Sequence, residues 1–230
     1  MNNIFEDFFP NGLLSKEIDF VVCSMWQSEL TKWLECVYEI DPGYYNRAKT
    51  RIHQDASKQE ELLAEVRSMY FLQKCGCVIT SLEPGRLDFT FTDIIGAVWN
   101  AEVKCPSYLG EIFELDIPKQ NKLIRKQQPK FINEDTFSFS CVDRYQNLIE
   151  PDLLEKFESG NKNLLIISDD LFVSLIGDPF LEENIKNALQ EGDPDSKISA
   201  VLLLRVQSKA FENFIDYQWR LVNVLEAPQM

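Results

Sequence analysis

Apolar and polar residues alternate strictly along residues 86–92 and again along residues 99–104, and this alternation predicts two β-strands that form a hairpin. The apolar positions of the two arms are Leu87, Phe89 and Phe91, then Trp99, Ala101 and Val103. The polar positions between them include Asp88 on the first arm, and Glu102 and Lys104 on the second. Side chains two residues apart on a strand share a face, so Glu102 and Lys104 are expected on one face while Val103 turns into the core.

A short turn determines how the two arms pair. Residues 93–96, Asp-Ile-Ile-Gly, fit a three-residue hairpin loop closed by a glycine in the left-handed conformation. This loop pairs Phe91 with Trp99 and brings the two apolar sets together on one face. In the same register Asp88 falls opposite Glu102. A shift of one residue would put each apolar set on the wrong face, so the turn and the apolar pattern favour the same register.

The rest of the chain predicts helices and further strands. Helical periodicity predicts an amphipathic helix over 16–40, a break at 41–43 where the sequence is Asp-Pro-Gly, and a second long helix over 44–74 that stops near Gly76. Further strands are expected at 77–82, 137–142, 164–168, 198–206 and 216–224, and short helices at 153–157 and 180–190. This order predicts an α/β (α+β) fold in which helices flank a mixed central sheet.

Asp88, followed on the next strand by Glu102-Val103-Lys104, resembles the PD-(D/E)XK nuclease superfamily, which has the restriction-endonuclease-like fold. In that family an aspartate lies on one strand and a (D/E)-x-K tripeptide on the next, and many members carry a glutamate on the preceding helix, where this chain has Glu65. The resemblance covers residues 60–130. The chain departs from the family name in one respect, since Leu87 rather than proline precedes Asp88.

The resemblance implies a restriction-endonuclease-like core that begins with a helix and three antiparallel strands. We expect a nuclease-like domain over residues 44–230, preceded by a helical extension over 1–43, with both forming one compact unit. The implied activity is metal-dependent hydrolysis of phosphodiester bonds in DNA or RNA.

The resemblance also implies a role for each site residue. Asp88 and Glu102 would hold one or two Mg²⁺ or Mn²⁺ ions, with Glu65 and the carbonyl of Val103 as further ligands. Lys104 would orient the attacking water and favour its deprotonation. The two carboxylates repel each other unless a positive charge lies between them, and either a divalent cation or the ammonium of Lys104 would provide it.

Residues 119–130, KQNKLIRKQQPK, reverse the local charge with five positive side chains. In the family, a helix after the lysine strand often lines the site, so Gln120 and Lys122 are candidates to bind substrate phosphates, with Arg125 and Lys126 behind them. An ordinary solvated basic helix explains the same pattern equally well.

Composition limits the alternatives. The single histidine, His53, excludes a multi-histidine metal site or a histidine-based catalytic triad. The six cysteines lack a CxxC spacing, which favours reduced, packed thiols. No apolar run has membrane-spanning length and no signal peptide is evident, so we expect a cytoplasmic protein with no membrane partner.

The net charge of −14 leaves two other functions open, because proteins that bind nucleic acid usually have a basic face. One alternative is a non-catalytic protein with the same fold, acting as an inhibitory or protein-binding module whose acidic surface binds a basic partner. The other is an interaction domain in which Asp88, Glu102 and Lys104 form a solvated cross-strand cluster.

Overall fold

The break that the sequence predicts after the first long helix is present. In the computed structural model, α1 (Ile4–Phe8) precedes α2 (Phe20–Ile40), and the single residue Asp41 separates α2 from α3 (Pro42–Gln54). The Asp41 side chain caps α3, because its Oδ1 accepts a 2.7 Å hydrogen bond from the Gly43 N–H. The structure describes residues 4–9, 20–54, 59–82, 87–105, 151–169, 181–193, 195–209 and 214–230.

The expectation of a single helix over 44–74 is wrong, because the structure has two helices there, α3 and α4 (Gln59–Lys74). In one continuous helix Tyr44 and Glu65 would lie about 31 Å apart at 1.5 Å per residue. Instead, the Tyr44 hydroxyl donates a 2.5 Å hydrogen bond to Glu65 Oε2 across the two helices. The chain therefore reverses direction between α3 and α4, and this reversal brings α3 to the candidate site.

The end of α4 agrees with the predicted stop. Gly76 has a φ of +89°, which favours glycine. Its N–H donates to the Gln73 carbonyl at 2.9 Å, and the Cys77 N–H donates to the Leu72 carbonyl at 3.0 Å. These two bonds form a Schellman motif, which ends the helix and directs the chain into the sheet.

The sheet is mixed and contains six strands in sequence order. Strands β1, β2 and β3 pair antiparallel, β4 pairs parallel to both β3 and β5, and β6 pairs antiparallel to β5. The strand bounds are β1 (Val78–Ser81), β2 (Phe89–Thr92), β3 (Val98–Lys104), β4 (Asn163–Asp169), β5 (Ala200–Lys209) and β6 (Phe214–Asn223). The short helices α5 (Pro151–Lys156) and α6 (Leu181–Gly192) precede β4 and β5. The predicted strand over 137–142 lies outside the described residues.

The predicted register of the hairpin is confirmed. Phe91 lies opposite Trp99, and two residues further Phe89 lies opposite Ala101. In the turn, the Gly96 N–H donates to the Asp93 carbonyl at 3.0 Å, with Gly96 at a φ of +86°. The apolar face and the polar face of the hairpin are therefore assigned as the sequence predicts.

Two apolar clusters cover the two faces of the sheet. The larger one joins α1, α2 and α4 to the face that carries Trp99, Ala101 and Val103. The smaller one joins α5 and α6 to the opposite face, where Leu165 and Ile167 lie. The described part of the chain is thus a sheet flanked by helices, and within it no helix is long and apolar enough to cross a membrane.

Candidate active site

The candidate site lies where β3 and the neighbouring parallel strand β4 end, close to the start of β2. Lys104, the last residue of β3, pairs with Ile167 near the end of β4. Asp88 immediately precedes β2, which runs antiparallel to β3 and therefore starts at this same end. The carboxyl ends of parallel strands are a common place for ligands in sheets of this kind.

Asp88 replaces a backbone acceptor in the sheet. Alternation along the hairpin would pair the Val103 N–H with the carbonyl of Leu87, but Leu87 lies outside β2. The Val103 N–H instead donates a 2.7 Å hydrogen bond to Asp88 Oδ2. Burial raises the pKa of Asp88, while this hydrogen bond and the charges of Lys156 and Lys104 act to lower it.

Glu102 is almost completely buried, with only 2% of its surface exposed. It pairs with Leu165, so it lies on the face of the sheet that α5 covers. Its Oε1 accepts a charged hydrogen bond from Lys156 Nζ on α5. Its Oε2 has no hydrogen-bond partner anywhere in the described chain. A buried carboxylate oxygen without a partner is costly, so this atom is available for a ligand.

Glu65 reaches the group from α4, on the other side of the sheet, and is 8% exposed. Its Oε2 accepts the hydrogen bond from Tyr44, and its Oε1 lies 3.6 Å from the NH1 of Arg51 on α3. Burial, followed by the negative charge of Asp88, raises its pKa to about 7. The structure therefore brings this helix glutamate within electrostatic range of the hairpin carboxylates.

The three carboxylates form one electrostatic group. Burial, and after it the charge of Asp88, raises the pKa of Glu102, and Glu102 in turn contributes to the raised pKa of Glu65. Lys156 and Lys104 act in the opposite direction on both Asp88 and Glu102. Perturbed groups of this kind concentrate at functional sites, although structural ion pairs also produce them.

The carboxylates of Glu65, Asp88 and Glu102 suit a divalent cation chemically, but their oxygens are not arranged around one point. Among the described residues, no group of three or more His, Cys, Asp or Glu side chains is arranged to hold a metal ion. The donors are nevertheless hard carboxylate oxygens, which Mg²⁺ and Mn²⁺ prefer, and Glu102 Oε2 lacks any other partner. The Lys156 ammonium forms an ion pair with Glu102 through the other oxygen, Oε1.

Electrostatic interactions link Asp88, Glu102, Lys104 and Glu65, but Glu65 approaches from the face of the sheet opposite to Glu102. The shared cavity and the catalytic and metal-binding roles of these residues stay predictions. The predicted substrate-binding residues, Gln120, Lys122, Arg125 and Lys126, lie outside the described residues.

Three residues near the carboxylates were not predicted from the sequence: Lys156, Tyr44 and Arg51. Lys156 is the last residue of a short helix, and nothing in the local sequence distinguishes it from an ordinary surface lysine. The continuous helix predicted over 44–74 separates Tyr44 and Arg51 from Glu65. The polar face of α3 was the only available signal for Arg51.

Comparison with protein-family models, with curated protein sequences and with solved structures finds no match to this chain.

Proposed function

We propose that this protein is a metal-dependent nuclease that hydrolyses phosphodiester bonds of DNA or RNA. One observation carries the proposal: Asp88 binds the Glu102-Val103-Lys104 segment of the hairpin, Glu65 interacts electrostatically with both carboxylates, and Glu102 Oε2 is buried without a partner in the described chain. Hydrolysis of a phosphodiester requires closely spaced anionic ligands and a nearby positive charge, and it requires no organic cofactor.

The order of the elements supports the same proposal. Helix α4 is followed by three antiparallel strands, β1 to β3, as the resemblance to the PD-(D/E)XK superfamily implies. The hairpin register sets Asp88 beside the Glu102-Val103-Lys104 tripeptide, the arrangement that the motif requires. We infer a restriction-endonuclease-like core from this order, with the N-terminal helices packed on one side of it.

Each residue has a distinct role in this mechanism. A Mg²⁺ or Mn²⁺ ion, held by Asp88, Glu102 and Glu65 with the Val103 carbonyl as a further ligand, would supply neutralisation of phosphate charge and a more acidic water. Lys104 orients the attacking water and favours its deprotonation. Tyr44 fixes the Glu65 carboxylate through its hydrogen bond.

The compartment we propose is the cytoplasm. Among the described cysteines, Cys36, Cys75 and Cys77 are free thiols. Unpaired, partly buried thiols are typical of proteins that work in a reducing compartment.

The experiment that tests the activity is a cleavage screen over single-stranded and double-stranded DNA and RNA, with Mg²⁺ or Mn²⁺ and with EDTA. We expect metal-dependent cleavage of at least one substrate by the parent protein and none by Lys104→Ala. Lys186→Ala is the matched control, because it removes a lysine whose partner is the exposed Glu182 on α6. Equal cleavage by the parent and Lys104→Ala would indicate a contaminating nuclease and would overturn the proposal.

A second candidate function is a non-catalytic protein of the same fold that binds a basic protein partner. The observation that favours it is the ion pair between Lys156 and Glu102, which satisfies part of the site without a metal. The net charge of −14 provides an acidic surface for such a partner. Absence of cleavage on every substrate would favour this function.

A further inference from the structure

A shallow, open pocket lies on the exposed side of α3. Its volume is about 350 Å³, and it is lined by Asn46, Arg47, Thr50 and Arg51. These residues form two pairs separated by four positions, so they share one face of the helix. Two positive charges and two neutral polar groups line the pocket, in a chain whose net charge is −14. Each arginine also faces a carboxylate, since Arg47 NH2 lies 3.5 Å from Asp41 Oδ2 and Arg51 NH2 lies 3.4 Å from Glu61 Oε2. An anion in the pocket would therefore bind the remaining guanidinium N–H groups.

Arg47 is held in place at this pocket. Its NH2 donates a 3.0 Å hydrogen bond to the Leu82 carbonyl and lies 3.5 Å from Asp41 Oδ2. The guanidinium carbon also lies 5.9 Å from the centre of the Tyr44 ring. Nevertheless 47% of the side chain remains exposed. A guanidinium has five N–H donors, so the half-exposed Arg47 side chain has donors left to bind a second acceptor.

Arg51 connects the pocket to the candidate site. Its NH1 lies 3.6 Å from Glu65 Oε1, and its charge lowers the pKa of both Glu65 and Asp88. The Arg51 side chain is 46% exposed. A ligand in the pocket would therefore lie next to a side chain that touches the carboxylate group.

We propose that this α3 pocket binds a backbone phosphate of the nucleic acid, next to the phosphate that is cleaved. The inference rests on the proposed function and adds a substrate-binding surface to it. Arg47 supplies a charged donor pair for the phosphate oxygens, and Asn46 supplies an amide donor. Arg51 places this phosphate beside Glu65, so that the strand continues toward Asp88 and Glu102. The pocket lies on α3, far in sequence from the basic segment 119–130.

The test is a binding measurement by fluorescence anisotropy, with end-labelled DNA and RNA oligonucleotides and with EDTA to prevent cleavage. Arg47→Gln is the main variant, because Arg47 has no described contact with the three carboxylates. We expect it to bind about tenfold more weakly than the parent, as for loss of a charged hydrogen bond. The slope of log affinity against log salt should fall by about 1, because one phosphate contact is lost.

Two further variants keep the test decisive. Asn46→Ala changes an exposed side chain on the same face and should also weaken binding. It therefore provides an independent test in case Arg47→Gln folds poorly. Lys186→Ala removes one positive charge on α6 and should leave affinity and salt slope unchanged.

The outcomes separate the pocket from the activity. Parent-like affinity of both Arg47→Gln and Asn46→Ala would overturn the pocket while leaving the cleavage result intact. Binding of a mononucleotide at least as tightly as the oligonucleotide, lost in Arg47→Gln, would assign the pocket to a small phosphate ligand and would also overturn it. If the parent binds no oligonucleotide in EDTA but cleaves one in the metal-dependent screen, the pocket alone fails. If it neither binds nor cleaves, both the pocket and the nuclease proposal fail.

Discussion

Lys156 Nζ binds Glu102 Oε1, so the buried carboxylate of the tripeptide is neutralised by a lysine that lies 54 positions further along the chain. The sequence indicated that either a cation or Lys104 would provide this charge. Because α5 packs on the same face of the sheet as Glu102, its last residue is close enough to do so.

The first prediction concerns the contribution of this ion pair to stability. Lys156→Ala leaves Glu102 buried without its partner, and we expect a loss of about 1–3 kcal/mol in the free energy of unfolding at pH 8. This is less than for a fully buried pair, because the Lys156 side chain is 36% exposed and solvent screens it. Urea unfolding provides the measurement.

The controls for this prediction are a surface pair and a double variant. Lys186→Ala breaks an exposed pair on α6 and should change stability little, because solvent screens that pair. Adding Glu102→Gln to Lys156→Ala removes the unpaired charge and should restore part of the loss. A cost for Lys156→Ala as small as that for Lys186→Ala would show that the pair contributes nothing measurable.

The second prediction follows from the pKa of Glu65, which is raised from its usual 4.5 to about 7. The folded protein therefore binds this proton more tightly than the unfolded chain. The stability that this provides is complete below about pH 4.5 and is lost as the pH rises through about 7. We expect the free energy of unfolding, measured in EDTA, to fall by up to about 3 kcal/mol between pH 5 and pH 8.

Glu65→Gln tests this prediction, since glutamine cannot ionise. The variant should lose less stability than the parent over the same pH range. The pKa values of Asp88 and Glu102 are raised as well, so part of the slope should remain. Glu226→Gln, which removes an exposed carboxylate paired with Lys162, is the control and should retain the slope of the parent. Identical slopes for the parent and Glu65→Gln would contradict the raised pKa.

The third prediction concerns the hydrogen bond between Tyr44 and Glu65. The Tyr44 hydroxyl lowers the pKa of Glu65 by stabilising its ionised form. Tyr44→Phe should therefore destabilise the protein by about 1–3 kcal/mol at pH 8, where Glu65 is ionised, and by less at pH 5. Tyr38→Phe, on a side chain that is 48% exposed, should change stability little at either pH. An equal cost of Tyr44→Phe at both pH values would mean that the hydroxyl does not act on the charge.

The hairpin could be predicted from the sequence because the signals that determine it are local. A period-two alternation places Asp88, Glu102 and Lys104 on one face, and a glycine-closed turn fixes the register between the strands. Both signals lie within fewer than twenty residues. The motif residues on β2 and β3 could therefore be placed together without any knowledge of tertiary contacts.

The partners of these residues could not be predicted in the same way. Helical periodicity indicates that residues are helical, but it does not mark where α3 turns back on α4, so the contact between Tyr44 and Glu65 was missed. Lys156 reaches Glu102 only because α5 packs against the sheet, and this is a tertiary contact. Arg67 on α4 also depends on a tertiary contact, because it is 1% exposed and donates hydrogen bonds to Ser168 on β4. The helical pattern does not distinguish it from a surface arginine.

The last prediction distinguishes an enzyme from a binding module through metal binding. If the site is catalytic, Mn²⁺ should raise the melting temperature of the parent. A ligand that binds only the folded state stabilises it by about 2.7 kcal/mol at one hundred times its dissociation constant. Asp88→Asn should weaken this response, because it removes a charged ligand with little change in volume.

The two lysines should affect the metal response without abolishing it, and this makes the titration specific. Lys104→Ala removes a positive charge near the carboxylates, so metal affinity should hold or improve while cleavage is lost. Lys156→Ala frees Glu102 Oε1 from the ammonium that neutralises it, so Mn²⁺ should bind this variant more tightly than the parent. If the protein is a binding module, the melting temperature of the parent should not respond to millimolar Mn²⁺, and Asp88→Asn should behave like the parent. A melting temperature that does not change with Mn²⁺, in both the parent and Lys156→Ala, would therefore favour the protein-binding function over the nuclease.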